Sequence, residues 1–210
     1  MPRTTRTHRH KSHFNFHLSI QVPTPTVVLF TLSLVTYYIA NNNLFLRLVG
    51  ILLLLSAIGY WNAFWWGNYT IFKQALTKIS KQRVLIINAY DISPLSREIT
   101  ALGNRAEVEI ANDDLSALPY SNGEFDVVIV NYAFQEIKPR LKQVKAMQEA
   151  ARVTKPNGNI RIIVKGFGVE RYRVFLRQSG FTNLMVQNNG WRGWWSGPWW
   201  PSFTITGKKW

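Results

Sequence analysis

The side chains able to do chemistry are unevenly placed along the 210 residues. There is no cysteine, which excludes disulfides, thiolate zinc sites and a cysteine nucleophile. All four histidines, His8, His10, His13 and His17, lie in an amino-terminal stretch without a single carboxylate. A polar tail is the better reading of that stretch than a metal centre. Carboxylates begin only at Asp91. The first of them close apolar, β-type runs: Asp91 ends VLIINAYD, and Asp113 with Asp114 ends VEIANDD. Asn131 ends a third run, FDVVIVN. Each has a plain alternative. Asp91 can be an acid favoured by the dipole at a helix start, and Asp113–Asp114 a solvated turn. Which reading holds depends on the elements that carry these residues.

Those elements alternate. Residues 84–89 form a continuous apolar run of the kind buried on both faces of a sheet. Ser93-Pro94 then resembles an N-cap followed by Pro at the first helical position, opening a helix that Gly103 ends. Strands are expected at 108–110, 127–130 and 160–164, with helices between them. A further helix covers 170–179, and two strands, 183–187 and 202–207, close the chain. This alternation predicts an α/β fold with an open, mainly parallel, Rossmann-like sheet.

The order of signals between Val108 and Gly158 is specific. VEIANDDLSALPYSNGEFDVVIVNYAFQEI is followed by EAARVTKPNG and a third strand. It resembles the second half of a class I S-adenosylmethionine-dependent methyltransferase domain of type 11, and the resemblance extends more weakly over 82–207. It implies a cofactor, S-adenosylmethionine, at the carboxyl ends of the first parallel strands, with Asp91 as the ribose ligand and Asp114 as the adenine-contacting acid. Asn131 would lie in the loop that faces cofactor and acceptor. Methyl transfer from a sulfonium is an in-line displacement that rests mainly on positioning, so the resemblance names no catalytic side chain. Asn157 stands where the family has the first glycine of its Pro-Gly-Gly turn. Asn tolerates positive φ, so the turn is expected to survive.

The departure from the family is upstream. No glycine occurs between Gly67 and Gly103, so nothing can serve as the glycine-rich loop that lets backbone approach the cofactor. One β-α unit is missing. The better local match makes 84–91 the family's second strand, with the first strand lost. In the alternative it is the first strand, with Tyr90 and Ile92 projecting where bare backbone is needed.

The amino-terminal third is different in kind. Residues 1–23 form a basic arm, which also has the composition of an organelle transit peptide. Apolar runs at 24–41 and 44–66 are separated by Asn41-Asn42-Asn43. At helical rise the second reaches about 34 Å, enough for a hydrocarbon core of about 30 Å. A transmembrane helical hairpin is expected, followed by a juxtamembrane helix over 67–81 and a domain over 82–210. The net charge is +14, and basic residues flank both ends of the hairpin. The positive-inside rule then places both termini on the cytoplasmic side of a membrane, with an organelle membrane also compatible. No nucleic-acid-binding motif accompanies the charge, so nucleic acid is not the expected partner. Asn68-Tyr69-Thr70 matches a glycosylation sequon, a pattern common by chance.

Tryptophans cluster at Trp61, Trp65 and Trp66 and again at Trp191, Trp194, Trp195, Trp199 and Trp200. Their apolar rings and polar N–H groups suit a bilayer interface, with anionic lipid favoured by Arg192, Lys208 and Lys209. The competing expectation is a lid of tryptophans packed over the gap left by the missing unit. The functional expectation is a membrane-anchored, methyltransferase-like protein that has lost catalysis and serves as an interaction or structural module, with a membrane protein as a possible partner. The alternative is an active methyltransferase with a lipid-like or membrane-proximal acceptor.

Overall fold

The computed structural model describes residues 24–40, 43–77, 79–89, 96–111, 114–166, 168–195 and 200–210. Two antiparallel helices come first, α1 (Thr24–Ile39) and α2 (Leu44–Asn62). Asn43 caps α2, its side chain accepting from the Leu46 N–H at 3.3 Å. Small residues let the pair approach. Ser33 Oγ donates to the Gly50 carbonyl at 2.9 Å, and a Cβ on Gly50 would lie 3.4 Å from the Ser33 oxygen. Leucine, valine, isoleucine and phenylalanine side chains on the outer faces of both helices remain exposed. The long helical stretch Leu44–Ala75 is long and apolar enough to cross a membrane, whereas Thr24–Ile39 is a shorter apolar helix.

The second helix does not stop where the apolar run ends. It passes through a π-helical turn, Ala63–Gly67, directly into α3 (Asn68–Ala75). Of the expected helix over 67–81, the part to Ala75 is helical and continues the rod into the domain. Ile71, Phe72 and Ala75 of α3 are buried.

The domain is a six-stranded sheet. Its strands are β1 (Arg83–Asn88), β2 (Glu107–Ala111), β3 (Phe125–Asn131), β4 (Thr154–Lys165), β5 (Phe181–Asn188) and β6 (Ser202–Lys209), in the order β2-β1-β3-β4-β6-β5. The first four are parallel, and β6 is antiparallel to both β4 and β5. The parallel core with an antiparallel closing hairpin agrees with expectation. Helices α4 (Ser96–Gly103), α5 (Ala133–Glu136), α6 (Arg140–Val153) and α7 (Val169–Gln178) connect the strands. On one face, Leu85, Ile87, Val128, Val130, Ile160 and Ile162 pack under α6 and α7. On the other, Val84, Ile86, Val127, Ile129 and Ile163 pack under α3 and α4. Strands buried on both faces have no polar alternation, which is why β1 and β3 read as unbroken apolar runs.

β1 lies between β2 and β3. That order fits both expected ranks of β1: a doubly wound sheet without its outermost strand, or one that has lost its first strand and closed up. The turn at Asn157 has φ 63°, as expected of an Asn replacing glycine. A Cβ on the following Gly158 would meet the Lys155 carbonyl at 2.9 Å.

Because Phe72 is fully buried beneath the sheet, the helix that continues α2 is part of the domain core. Phe72→Ala is expected to destabilise the domain by about 3–5 kcal/mol. Urea unfolding of the full chain in detergent, followed by the circular dichroism of the sheet, measures this.

Candidate functional site

The crevice of an open α/β sheet opens at the carboxyl ends of the strands where the order reverses. Here that point falls between β1 and β3, and their last residues are Asn88 and Asn131. Both side chains lie on the α3 face. Asn131 Nδ2 donates to Asn88 Oδ1 at 2.7 Å and to Asn68 Oδ1 at 3.0 Å. Asn68 is the first residue of α3, so the helix that continues α2 reaches into the switch point. It is buried and bonded there, which leaves the sequon without an accessible acceptor. The Asn131 Oδ1, also buried, has no hydrogen-bond partner among the described residues.

Above the amides sits an aromatic cluster. Trp195 is only 1% exposed and makes edge contacts with Tyr60 at 5.3 Å, Tyr132 at 5.2 Å and Phe64 at 6.4 Å. Tyr132 has a left-handed backbone, φ 58°, which turns the chain sharply from β3 into α5. Lys165, at the end of β4, lies 4.7 Å from the Trp195 ring and 3.1 Å from Glu136. The Gln135 side chain grips the Lys165 backbone through both its N–H and its carbonyl, at 2.8 and 2.6 Å. The seam between the α2–α3 rod and the tryptophan segment is close enough to require glycine. A Cβ on Gly67 would stand 1.7 Å from the Arg192 carbonyl oxygen.

The sequence-predicted residues separate accordingly. Asp91, with Tyr90 and Ile92, lies outside the described residues, as do Asp113 and Trp199. Asp114 is exposed, and its Oδ1 accepts from the Ser116 N–H at 3.0 Å and hydroxyl at 2.7 Å, a local turn. These bonds hold its carboxyl below the ordinary range. Asn131 does lie at the crevice. Of the tryptophans, Trp66 is 71% exposed, Trp191 61%, Trp200 45% and Trp61 39%, while Trp65 and Trp194 are half-buried. Trp195 departs from the interfacial expectation, because its ring is inside the fold. Lys208 and Lys209 also depart from it. They pair near Asn159, at the opposite end of β6 from Ser202, and Lys209 Nζ donates to the carbonyls of Ala151 and Thr154. Sequence reasoning missed Asn68, Asn88 and the aromatic partners Tyr60 and Phe64. Their only signal was one polar residue closing or opening an apolar run.

The residues that carried the strong resemblance serve the scaffold. Arg152 donates to the carbonyls of Tyr120 and Leu118, to Asn122 and to Glu149, and Glu149 accepts from the Leu118 N–H at 2.9 Å. Together they fasten the Leu-Pro-Tyr turn to α6. Asp126 accepts from the Arg83 N–H and from Lys155, each at 2.8 Å. Burial raises the Asp126 carboxyl, but these two partners outweigh it and hold the group below its usual range.

With the geometry in place, comparison with known proteins gives a domain profile over part of the chain and one fold. A profile described as a methyltransferase domain matches residues 73–162. No curated protein matches the sequence. Among solved structures, phosphoethanolamine N-methyltransferase 2 of Haemonchus contortus, with phosphomonomethylethanolamine and S-adenosylhomocysteine, superposes with TM-score 0.51 at 14% identity. That alignment covers 69% of this chain and 53% of that one. The 1,6-didemethyltoxoflavin N1-methyltransferase of Burkholderia thailandensis gives 0.50 at 12%, covering 92% of each chain. The cyclase SpnF also gives 0.50, at 14%, covering 66% of this chain and 80% of its own. At such identities the likeness is one of fold. The profile makes residues 73–162 similar to a methyltransferase domain, and the solved structures share the Rossmann-like fold, so the chain carries a methyltransferase-like domain. One of the three is a cyclase, so the fold by itself does not set the reaction.

Two outcomes follow from this geometry. Gly67→Val should separate the α2–α3 rod from the Trp195 segment and red-shift the tryptophan emission, whereas Gly103→Ala, with open space around its Cβ, should leave the emission unchanged. The Glu149 carboxyl is held low, first by the Arg152 hydrogen bond and against the effect of desolvation. A depressed carboxyl contributes stability above its unfolded value, about 4.3, and loses it as pH falls through the folded value. The urea midpoint should therefore drop between about pH 6 and about pH 3, and drop less in Glu149→Gln.

Proposed function

We propose that this protein is a membrane-anchored, methyltransferase-like module that no longer binds S-adenosylmethionine and acts by interaction. The observation that carries the reading is Asn68. A residue of the anchor helix occupies the switch point and is bonded to Asn131, with Tyr60, Phe64, Tyr132 and Trp195 packed beside it. A cofactor at this crevice needs backbone free of side chains, and the described residues offer amides and rings instead. They do not fit the cofactor, so no methyl-transfer step is derived. The antiparallel hairpin supports the anchoring. It brings the start of α1 and the end of α2 to one side, the side that holds the domain. By the positive-inside rule the basic flanks support a cytoplasmic position for that side and for both termini.

The second reading, an active methyltransferase with a lipid-like or membrane-proximal acceptor, is favoured by one observation. Asn131 Oδ1 is a buried acceptor at the crevice without a described partner, and such atoms are rare where nothing binds. Titration calorimetry of the detergent-solubilised full chain with S-adenosylmethionine and with S-adenosylhomocysteine separates the two. No heat of binding is expected at micromolar ligand. Micromolar binding that is lost in Asp114→Ala would restore the enzyme.

A further inference from the structure

The tryptophans left exposed come from two distant parts of the sequence, and the fold brings both to one edge. Trp61 and Trp66 stand on the last turns of the rod before α3. Trp191 flanks the Arg192 carbonyl that touches Gly67, next to Trp66. Trp200 packs its ring 3.5 Å from the Cβ position of Gly166, just past the carboxyl end of β4. The edge of the sheet that carries Asn88, Asn131 and Lys165 is therefore also the edge nearest the hairpin. From Asn43 to Trp61 the helix rises about 27 Å. A hairpin whose tip reaches one bilayer surface thus places Trp61 near the other, since a hydrocarbon core measures about 30 Å.

Among the described residues at this edge, exposed cations outnumber unpaired acids. Lys138 precedes α6, Arg140 is its first residue, Arg171 lies in the first turn of α7 and Arg192 lies over the Trp191 ring at 5.6 Å. All four are exposed. The exposed acids among the described residues here are Asp114, bonded within its own turn, and Glu136 and Glu170, paired with Lys165 and Arg173. Amphipathic rings with neighbouring cations are the side-chain chemistry of a bilayer interface facing anionic headgroups.

We infer that the carboxyl edge of the sheet rests in the headgroup region of an anionic bilayer, through Trp61, Trp66, Trp191, Trp200 and Arg192. The inference rests on the membrane-anchored reading and adds an orientation. The crevice end faces the lipid and the amino-terminal edge, with Trp210, faces water. Trp195 is excluded from the contact and instead locks the segment that presents its neighbours.

The chain has no cysteine, so single spin labels can be placed without background. Full chains carrying Trp66→Cys, Trp191→Cys, Trp200→Cys, Trp210→Cys or Leu52→Cys are labelled and reconstituted in phosphatidylcholine vesicles containing a minority of phosphatidylglycerol. Collision of the labels with oxygen and with a water-soluble nickel chelate gives their depth. The label at Leu52 should lie in the hydrocarbon, those at 66, 191 and 200 at the interface, and that at 210 in water. Labels at 191 and 200 as open to nickel as the one at 210, with Leu52 still in lipid, would overturn the orientation alone. Capture of that surface by a second protein chain would give the same nickel-protected labels without oxygen enrichment, and would overturn it too. A water-exposed Leu52 label would instead remove the anchored reading beneath it.

Discussion

One unbroken helix decides how this molecule is built. A sheet buried on both faces must be covered on both, and α3 supplies part of one cover by placing Ile71, Phe72 and Ala75 against the strands. The same helix is the continuation of α2. The apolar hairpin and the α/β domain are therefore joined by shared core, with no linker to let them move independently. Small residues at the seam make this possible. Ala63 and Gly67 are both buried, and any side chain at Gly67 would collide with the backbone at Arg192.

The chemistry of the crevice follows from that arrangement. Where a helix end enters a sheet's ligand site, each buried polar group needs a partner from the protein itself. Asn68, Asn88 and Asn131 form a neutral set in which amides partner one another without ionisation. A carboxylate in the same position would have to bring a cation or shift its titration to be tolerated. The polar groups at the ends of β1 and β3 are thus suited to hold a helix in place, and the aromatic rings beside them exclude water from the joint.

Much of the sheet was legible in the sequence because doubly buried strands cannot hide. Val84 to Ile87 and Val127 to Val130 are apolar throughout, and the positive φ of Asn157 follows from its place in a family turn. The neighbours of β1 were not legible, since pairing partners leave no trace in a strand's own composition. The crevice was half legible. Asn131 stood out as the polar end of an apolar run. Asn68 was hidden inside a sequon look-alike, and its real partner is 63 residues away. The tryptophans were counted correctly as a group but not sorted, because whether Trp195 or Trp191 turns inward depends on Tyr60 and Phe64 arriving from the far end of the chain. Lys208 and Lys209 were grouped with the tryptophan segment by sequence proximity. An extended strand carries them away from it by about 3.4 Å per residue.

The position of the rod in the chain also sets an order of events during synthesis. Residues 68–75 leave the ribosome before any strand exists for them to cover. Ile71 and Phe72 must wait for β1, and Val127 and Ile129 arrive only after the intervening loop has been made. Until then the apolar side of α3 is open, immediately behind a hairpin whose outer faces are also apolar. The nascent chain therefore spends an interval with its longest hydrophobic helix complete and the domain that will shelter its end unmade. Only the β3 strand gives that helix its permanent cover.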